Sequence, residues 1–179
     1  MGSPEAIVIS GVYGVGKTTT TIQIADLLDA RHVRYAALDL DWLSWAWTPY
    51  GGHDVPVDRL MLEHLDLIVR NLRRHGNDRF VLAGAVMTTA AWDAIRATLE
   101  MPARLVRLVA PVEVIRPRLA NEPTTGRVDD ARQMEAWLSA PGGDVPVPDL
   151  VIANTGTILE TAHAILAWSG WQDGPLAEG

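Results

Sequence analysis

Ile7-Val8-Ile9-Ser10-Gly11-Val12-Tyr13-Gly14-Val15-Gly16-Lys17-Thr18-Thr19 decides the fold. From Gly11 to Thr18 it fits G-x-x-x-x-G-K-[ST], the phosphate-binding loop. Glycines at these positions let successive backbone N–H groups turn inward around phosphate oxygens. The helix that follows aims its positive end at the same place. Lys17 is the chain's only lysine; every other strong cation is an arginine. A compact ammonium on a flexible stem suits a phosphate at this position better than a planar guanidinium. Thr18 supplies a hydroxyl for Mg²⁺, which keeps several waters and borrows phosphate oxygens. Residues 6–10 read as a buried strand and residues 18–31 as a helix, the order that such a loop requires. The spacing is not G-x-G-x-x-G, which disfavours a dinucleotide-binding fold.

Working outward, residues 7–10, 34–40, 80–85, 105–110 and 150–153 are short apolar runs without clean alternation. Strands buried on both faces of a parallel sheet look like this. Helical periodicity marks 18–31, 57–75, 89–99 and 158–168. Strands alternating with helices imply an α/β fold with right-handed crossovers. Residues 44–56, rich in Trp, Tyr, Gly and Pro, read as an irregular insert. Residues 121–132 read as a loop carrying arginine near its end, and residues 141–148 as a Pro/Gly connector into the last strand. Pro117 falls where the helix after the fourth strand belongs, so it either kinks that helix or delays its start.

With 179 residues, 48% hydrophobic and 21% charged, the chain is expected to be one domain spanning 1–179. The absence of cysteine removes disulfides, thiolate catalysis and thiol-bound zinc, and suits the cytoplasm. No apolar run is long enough to span a bilayer and no secretory leader is recognisable, so no membrane association is expected. The net charge of −7 and the scattered arginines argue against a nucleic-acid partner. A small anionic ligand in a local basic pocket remains compatible with an acidic chain.

Asp39 and Asp41 end the second apolar run, at the sheet edge where ligands of open parallel sheets sit. Two residues apart on an extended segment, they are expected to point to the same side. Mg²⁺-triphosphate needs an acid near the metal's waters, and transfer to a hydroxyl is helped by a second acid that takes its proton. The other reading of this pair is helix capping or plain exposure. The third strand ends in Gly84 without an acid, which assigns the metal role to Asp39 by elimination. Gly84 either lets a substrate approach the backbone or serves sheet–helix packing. Trp42 and Trp45, with Trp47 and Tyr50, either wall a substrate pocket or pack for area alone. Arg116, Arg118, Arg127 and Arg132 bracket residues 121–132 and either form surface salt bridges or serve an arginine-bearing lid; the residues alone leave open which one reaches the phosphate, with Arg118 the candidate at the nucleotide and Arg127 the candidate at the moving phosphoryl group. Asn154-Thr155-Gly156 after the last strand either touches a base through its backbone or caps the next helix.

These features together resemble the P-loop small-molecule kinases, in particular the shikimate kinase, gluconate kinase and chloramphenicol phosphotransferase group. The resemblance rests on Gly11 to Thr19, on Asp39-Leu40-Asp41, on Gly84, on residues 118–127 and on Asn154-Thr155-Gly156. It implies a three-layer sandwich around a five-stranded parallel sheet in the order 2-3-1-4-5, with a mobile lid. It implies ATP as donor, Mg²⁺ as cofactor and a small hydroxylated acceptor. Carried over, Gly11, Val12, Gly14, Val15, Gly16, Lys17, Thr18 and Thr19 hold the phosphates, and Thr18 with Asp39 serves the metal. Asp41 contacts the acceptor hydroxyl and takes its proton, beside Trp42, Trp45 and Gly84. A single glycine on the third strand and the Trp-rich insert depart from the group's pattern and leave the acceptor open. Two other readings stand beside this one: a nucleoside or nucleotide kinase, and a nucleotide-dependent switch that phosphorylates no acceptor.

Overall fold

The structure is a computed structural model that describes residues 3–44, 59–120 and 144–171. β1 (Glu5–Ser10) runs into the phosphate loop and α1 (Lys17–Asp29). β2 (Tyr35–Asp39) passes directly into the one-turn α2 (Leu40–Leu43). α3 (Arg59–Arg74), β3 (Arg79–Ala83), α4 (Thr89–Leu99), β4 (Ala103–Val109) and α5 (Val112–Ala120) follow. β5 (Leu150–Ala153) and α6 (Ile158–Ser169) close the described chain.

All four strand pairings are parallel, and the order is β2-β3-β1-β4-β5, as the resemblance implies. β1 is central: Ile7 lies opposite Val81 of β3 and Arg104 of β4. The side chains divide by the two-residue period of a strand. Ile7, Ile9, Val81, Val106 and Leu108 meet Ile24 and Leu28 of α1 and Ile165 and Leu166 of α6 in one buried cluster. Ala6, Val8, Phe80, Leu82 and Leu105 meet Leu65 and Val69 of α3 and Trp92, Ile95 and Leu99 of α4 in the other. Helices therefore cover both faces, and the sheet between them carries apolar side chains on each, which is why its strands show continuous apolar runs.

The expected elements are present with shifted ends. β2 stops at Asp39 because Leu40 already begins α2. Asp39 and Asp41 thus do not share one extended segment: Asp39 is the N-cap of α2 and Asp41 sits in its first turn. α5 begins at Val112, and Val114 and Ile115 both donate to the Pro111 carbonyl. Pro117 therefore lies inside the helix and does not delay its start. The insert at 44–56 beyond Ser44, and the lid at 121–132, lie outside the described residues, and Trp45, Trp47, Tyr50, Arg127 and Arg132 lie there too.

Candidate active site

β1 delivers the phosphate loop to the carboxyl edge of the sheet. Gly11 and Gly16 carry φ of +144° and +100°, backbone that side-chain-bearing residues rarely adopt. Both are crowded as well. A Cβ on Gly11 would lie 2.5 Å from the Leu108 carbonyl oxygen, and one on Gly16 would lie 2.7 Å from Asn154 Nδ2. Val12 and Val15 turn their side chains into the core beneath α1, which leaves the loop's main chain to face the cleft.

Lys17 is 6% exposed. Its Nζ donates to the Val12 carbonyl at 3.3 Å and lies 5.0 Å from the centre of the Tyr13 ring. The ring's negative face and the carbonyl together replace part of the water that burial removes. The role of Tyr13 went unseen in the sequence because the motif leaves its position unspecified.

Thr18 Oγ1 donates to Asp39 Oδ2 at 2.7 Å, while Asp39 Oδ1 accepts from the Asp41 N–H at 3.0 Å. One carboxylate thus caps α2 and reaches the first turn of α1. Both readings of Asp39, cap and site residue, hold at once. A hydroxyl beside a carboxylate is a hard-oxygen set that fits Mg²⁺, most of whose remaining positions go to water and phosphate oxygens. Among the described residues no cluster of three or more His, Cys, Asp or Glu could hold a metal by itself, and such a phosphate-dependent site needs none.

The loop floors a cleft of about 860 Å³. Asp39, Asp41, Trp42 and Ser44 form one wall; Arg118, Leu119, Gly156, Thr157 and Ile158 form the other. Tyr13, Gly14, Gly16, Lys17, Thr18 and Thr19 lie between them. Trp42 is 66% exposed. α2 is held by its neighbour: His64 Nδ1 on α3 lies 2.6 Å from the Leu43 carbonyl oxygen.

Two assignments read differently in three dimensions. Asn154 is fully buried and props the loop from behind. Its Nδ2 donates to the Val15 carbonyl at 2.7 Å, and its Oδ1 accepts from Thr161 Oγ1 at 2.7 Å. Neither Asn154 nor Thr155 caps α6. Thr157 does, in a reciprocal capping box with Glu160. Hydrogen bonds from the Thr157 backbone and hydroxyl hold the Glu160 carboxyl below its ordinary value. Gly84 packs against Leu40, whose Cδ1 would lie 2.9 Å from an added Cβ, so the packing reading accounts for it. Arg118 reaches the carbonyls of Gly14, Val15 and Asn154, each at 3.4 Å. Three long contacts hold the guanidinium loosely across the loop.

No protein-family model and no curated protein matches the sequence. Solved structures do. An APS kinase from Mycobacterium tuberculosis, in complex with AMPPNP and APS, is 17% identical with a TM-score of 0.64, over 95% of this chain and 99% of its own. A sugar kinase from a Janibacter species is 19% identical with a TM-score of 0.62, over 94% of this chain and 95% of its own. A shikimate kinase from Acinetobacter baumannii, in complex with shikimate, is 19% identical with a TM-score of 0.57, over 96% of this chain and 95% of its own. The chain has the P-loop NTPase fold of these structures, with its five-stranded parallel sheet in the order 2-3-1-4-5. At these identities the likeness speaks for fold alone. Among the described residues, no helix is long and apolar enough to cross a membrane.

Proposed function

We propose that the chain is a phosphotransferase that moves the γ-phosphate of Mg-ATP to a hydroxyl of a small molecule. One observation carries this reading: the hydroxyl next to the phosphate loop's lysine contacts Asp39 at 2.7 Å, and Asp41 of the following turn opens on the same cleft. A metal-side acid and an acceptor-side acid therefore stand two residues apart beside one phosphate cradle.

The amides from Gly14 to Thr18 would grip the β- and γ-phosphates, with Lys17 turning from Val12 and Tyr13 to a phosphate oxygen. Thr18 and, through water, Asp39 would hold Mg²⁺, which when bound neutralises charge on the phosphates. Asp41 takes the proton of the acceptor hydroxyl as that oxygen bonds to the γ-phosphorus and the bond to the ADP oxygen breaks. Residues 121–132 would close over the cleft as a lid, with Arg127 at the moving group and Arg118 at the nucleotide. Catalysis is then chiefly positioning and charge stabilisation, with proton acceptance adding a smaller factor.

The test supplies Mg-ATP alone and with hydroxylated metabolites, nucleosides and antibiotics, and follows products by mass spectrometry. A new phosphoester is expected; ADP and phosphate without one would identify a hydrolase or switch. Lys17→Ala should lower ATP affinity at least tenfold by calorimetry. Asp41→Asn should slow transfer about a hundredfold, the scale of general-base assistance, with ATP affinity nearly unchanged. A fall in nucleotide affinity alone would move Asp41 to the metal side.

A further inference from the structure

The phosphate loop places its side chains one by one. Val12 and Val15 are buried in the cluster beneath α1. Gly14 lies against α5, where an added Cβ would come within 2.9 Å of Leu119 Cγ and 3.0 Å of Ile115 Cγ2. Among the described residues between Gly11 and Gly16 that line the cleft, Tyr13 alone carries a side chain. Its ring is half-buried, and its centre lies 5.0 Å from Lys17 Nζ. Lys17 borders the same cleft but is 6% exposed. The Val12 carbonyl and the Tyr13 ring both neighbour its ammonium. A phosphate oxygen seated on the loop must reach that ammonium, so one neighbour has to give way. The carbonyl belongs to main chain pinned on both sides, by buried Val12 and by Gly14 against α5. The ring hangs on rotatable bonds beside the open volume of the cleft.

We propose that Tyr13 is a positioning residue that acts through Lys17: its ring holds the ammonium in the empty cleft and swings off it when a triphosphate enters. This rests on the phosphotransfer reading, which seats a triphosphate on the loop. The physical reason is competition for one cation. A charge-assisted bond to phosphate outweighs attraction to a ring face, so the ammonium goes to the phosphate and the ring contact is lost. A contact made in the empty protein and given up in the complex subtracts from affinity. Tyr13 thus sets how tightly the nucleotide is held, and it screens the chain's only lysine between turnovers. The motif specifies Lys17 and leaves position 13 open, so this control belongs to a residue particular to the chain.

The experiment uses the full chain with Tyr13→Phe and with mono-, di- and trifluorophenylalanine at position 13. Fluorine drains negative charge from the ring face with little change in size. Phenylalanine is the reference, so whatever the tyrosine hydroxyl contacts drops out of the comparison. Mg-AMPPNP affinity by calorimetry should rise with each fluorine, by about fivefold over the series. A role in packing alone gives no trend, and a ring that stays on the bound ammonium gives a falling one; either result overturns the inference. Isotopically labelled lysine supplies a second readout, because Lys17 gives the only lysine signal. In the empty protein the ring should shift its ε-methylene protons upfield relative to Tyr13→Leu, and this difference should largely vanish with Mg-AMPPNP bound. A difference that is absent at the start, or that persists in the complex, overturns the inference while leaving phosphotransfer intact. Failure of Mg-AMPPNP to bind the unsubstituted chain overturns both.

Discussion

Asn154 shows how much one side chain can decide at a distance. It donates to Val15, 139 positions earlier, and accepts from Thr161. Asn154→Asp removes the donor and sets a negative charge under the phosphate cradle, while Thr161 can still donate. ATP affinity should fall more than tenfold by calorimetry. Asn154→Ala leaves the Val15 carbonyl and the Thr161 hydroxyl without these partners, at a cost of about 1–3 kcal/mol of stability. Denaturant unfolding with an unchanged slope would measure it.

Among elements, α2 is the least self-sufficient. It is one turn long, capped by Asp39 at one end and tied through Leu43 to His64 at the other, and it carries Asp41 and Trp42 into the cleft. So short a helix has no stability of its own; its orientation comes from those two anchors and from the burial of Leu40 against Gly84 and α3. His64→Leu should speed amide exchange across residues 40–44 at least tenfold. His64→Asn, whose amide nitrogen can take the place of Nδ1, should restore most of the protection. Equal exchange in all three proteins would show that the imidazole does not hold the turn.

The same element marks how far the sequence could be read. The phosphate loop was legible because its signal is local: glycines, a lysine and a threonine at fixed spacing between an apolar run and a helical one. The strands were legible because burial on both faces leaves an apolar run that needs no partner to be seen. Their order came from the resemblance, since no residue pattern encodes which strand lies beside which. Asp39 and Asp41 were found, but not their geometry: whether Leu40 extends β2 or begins α2 depends on packing against Gly84 and α3. The roles of Asn154 and Gly84 depend on Val15 and Leu40, far away in sequence, and no local periodicity registers such contacts. No local pattern marks His64, because its partner is a backbone carbonyl contributed by another element.

At the scale of the molecule, the two edges of the sheet have different duties. The carboxyl edge bears the cleft. At the opposite edge Glu5 accepts from Trp171 Nε1 at 2.6 Å and pairs with Arg104 at 3.3 Å and Arg79 at 3.6 Å. Arg104 also donates to the Ser169 carbonyl at 3.0 Å and lies over the Trp168 ring. This cluster fastens the end of α6 to β1, β3 and β4. Partial exposure of its ion pairs keeps each of them weak, so the Trp171 bond carries most of the effect. Glu5→Ala should cost about 1–2 kcal/mol and lower Tm by roughly 2–8 °C, with ATP affinity unchanged. A loss of affinity would mean that the two edges are coupled.

The brace behind the phosphate loop also has a bearing on biogenesis. Synthesis runs from the cradle towards its support, so the Asn154 amide is made 139 positions after the Val15 carbonyl that it holds. A nascent chain would carry a complete nucleotide motif long before it could grip a nucleotide. ATP should therefore accelerate only the closing step of refolding, the docking of β5 and α6, and should offer nothing to an early fragment.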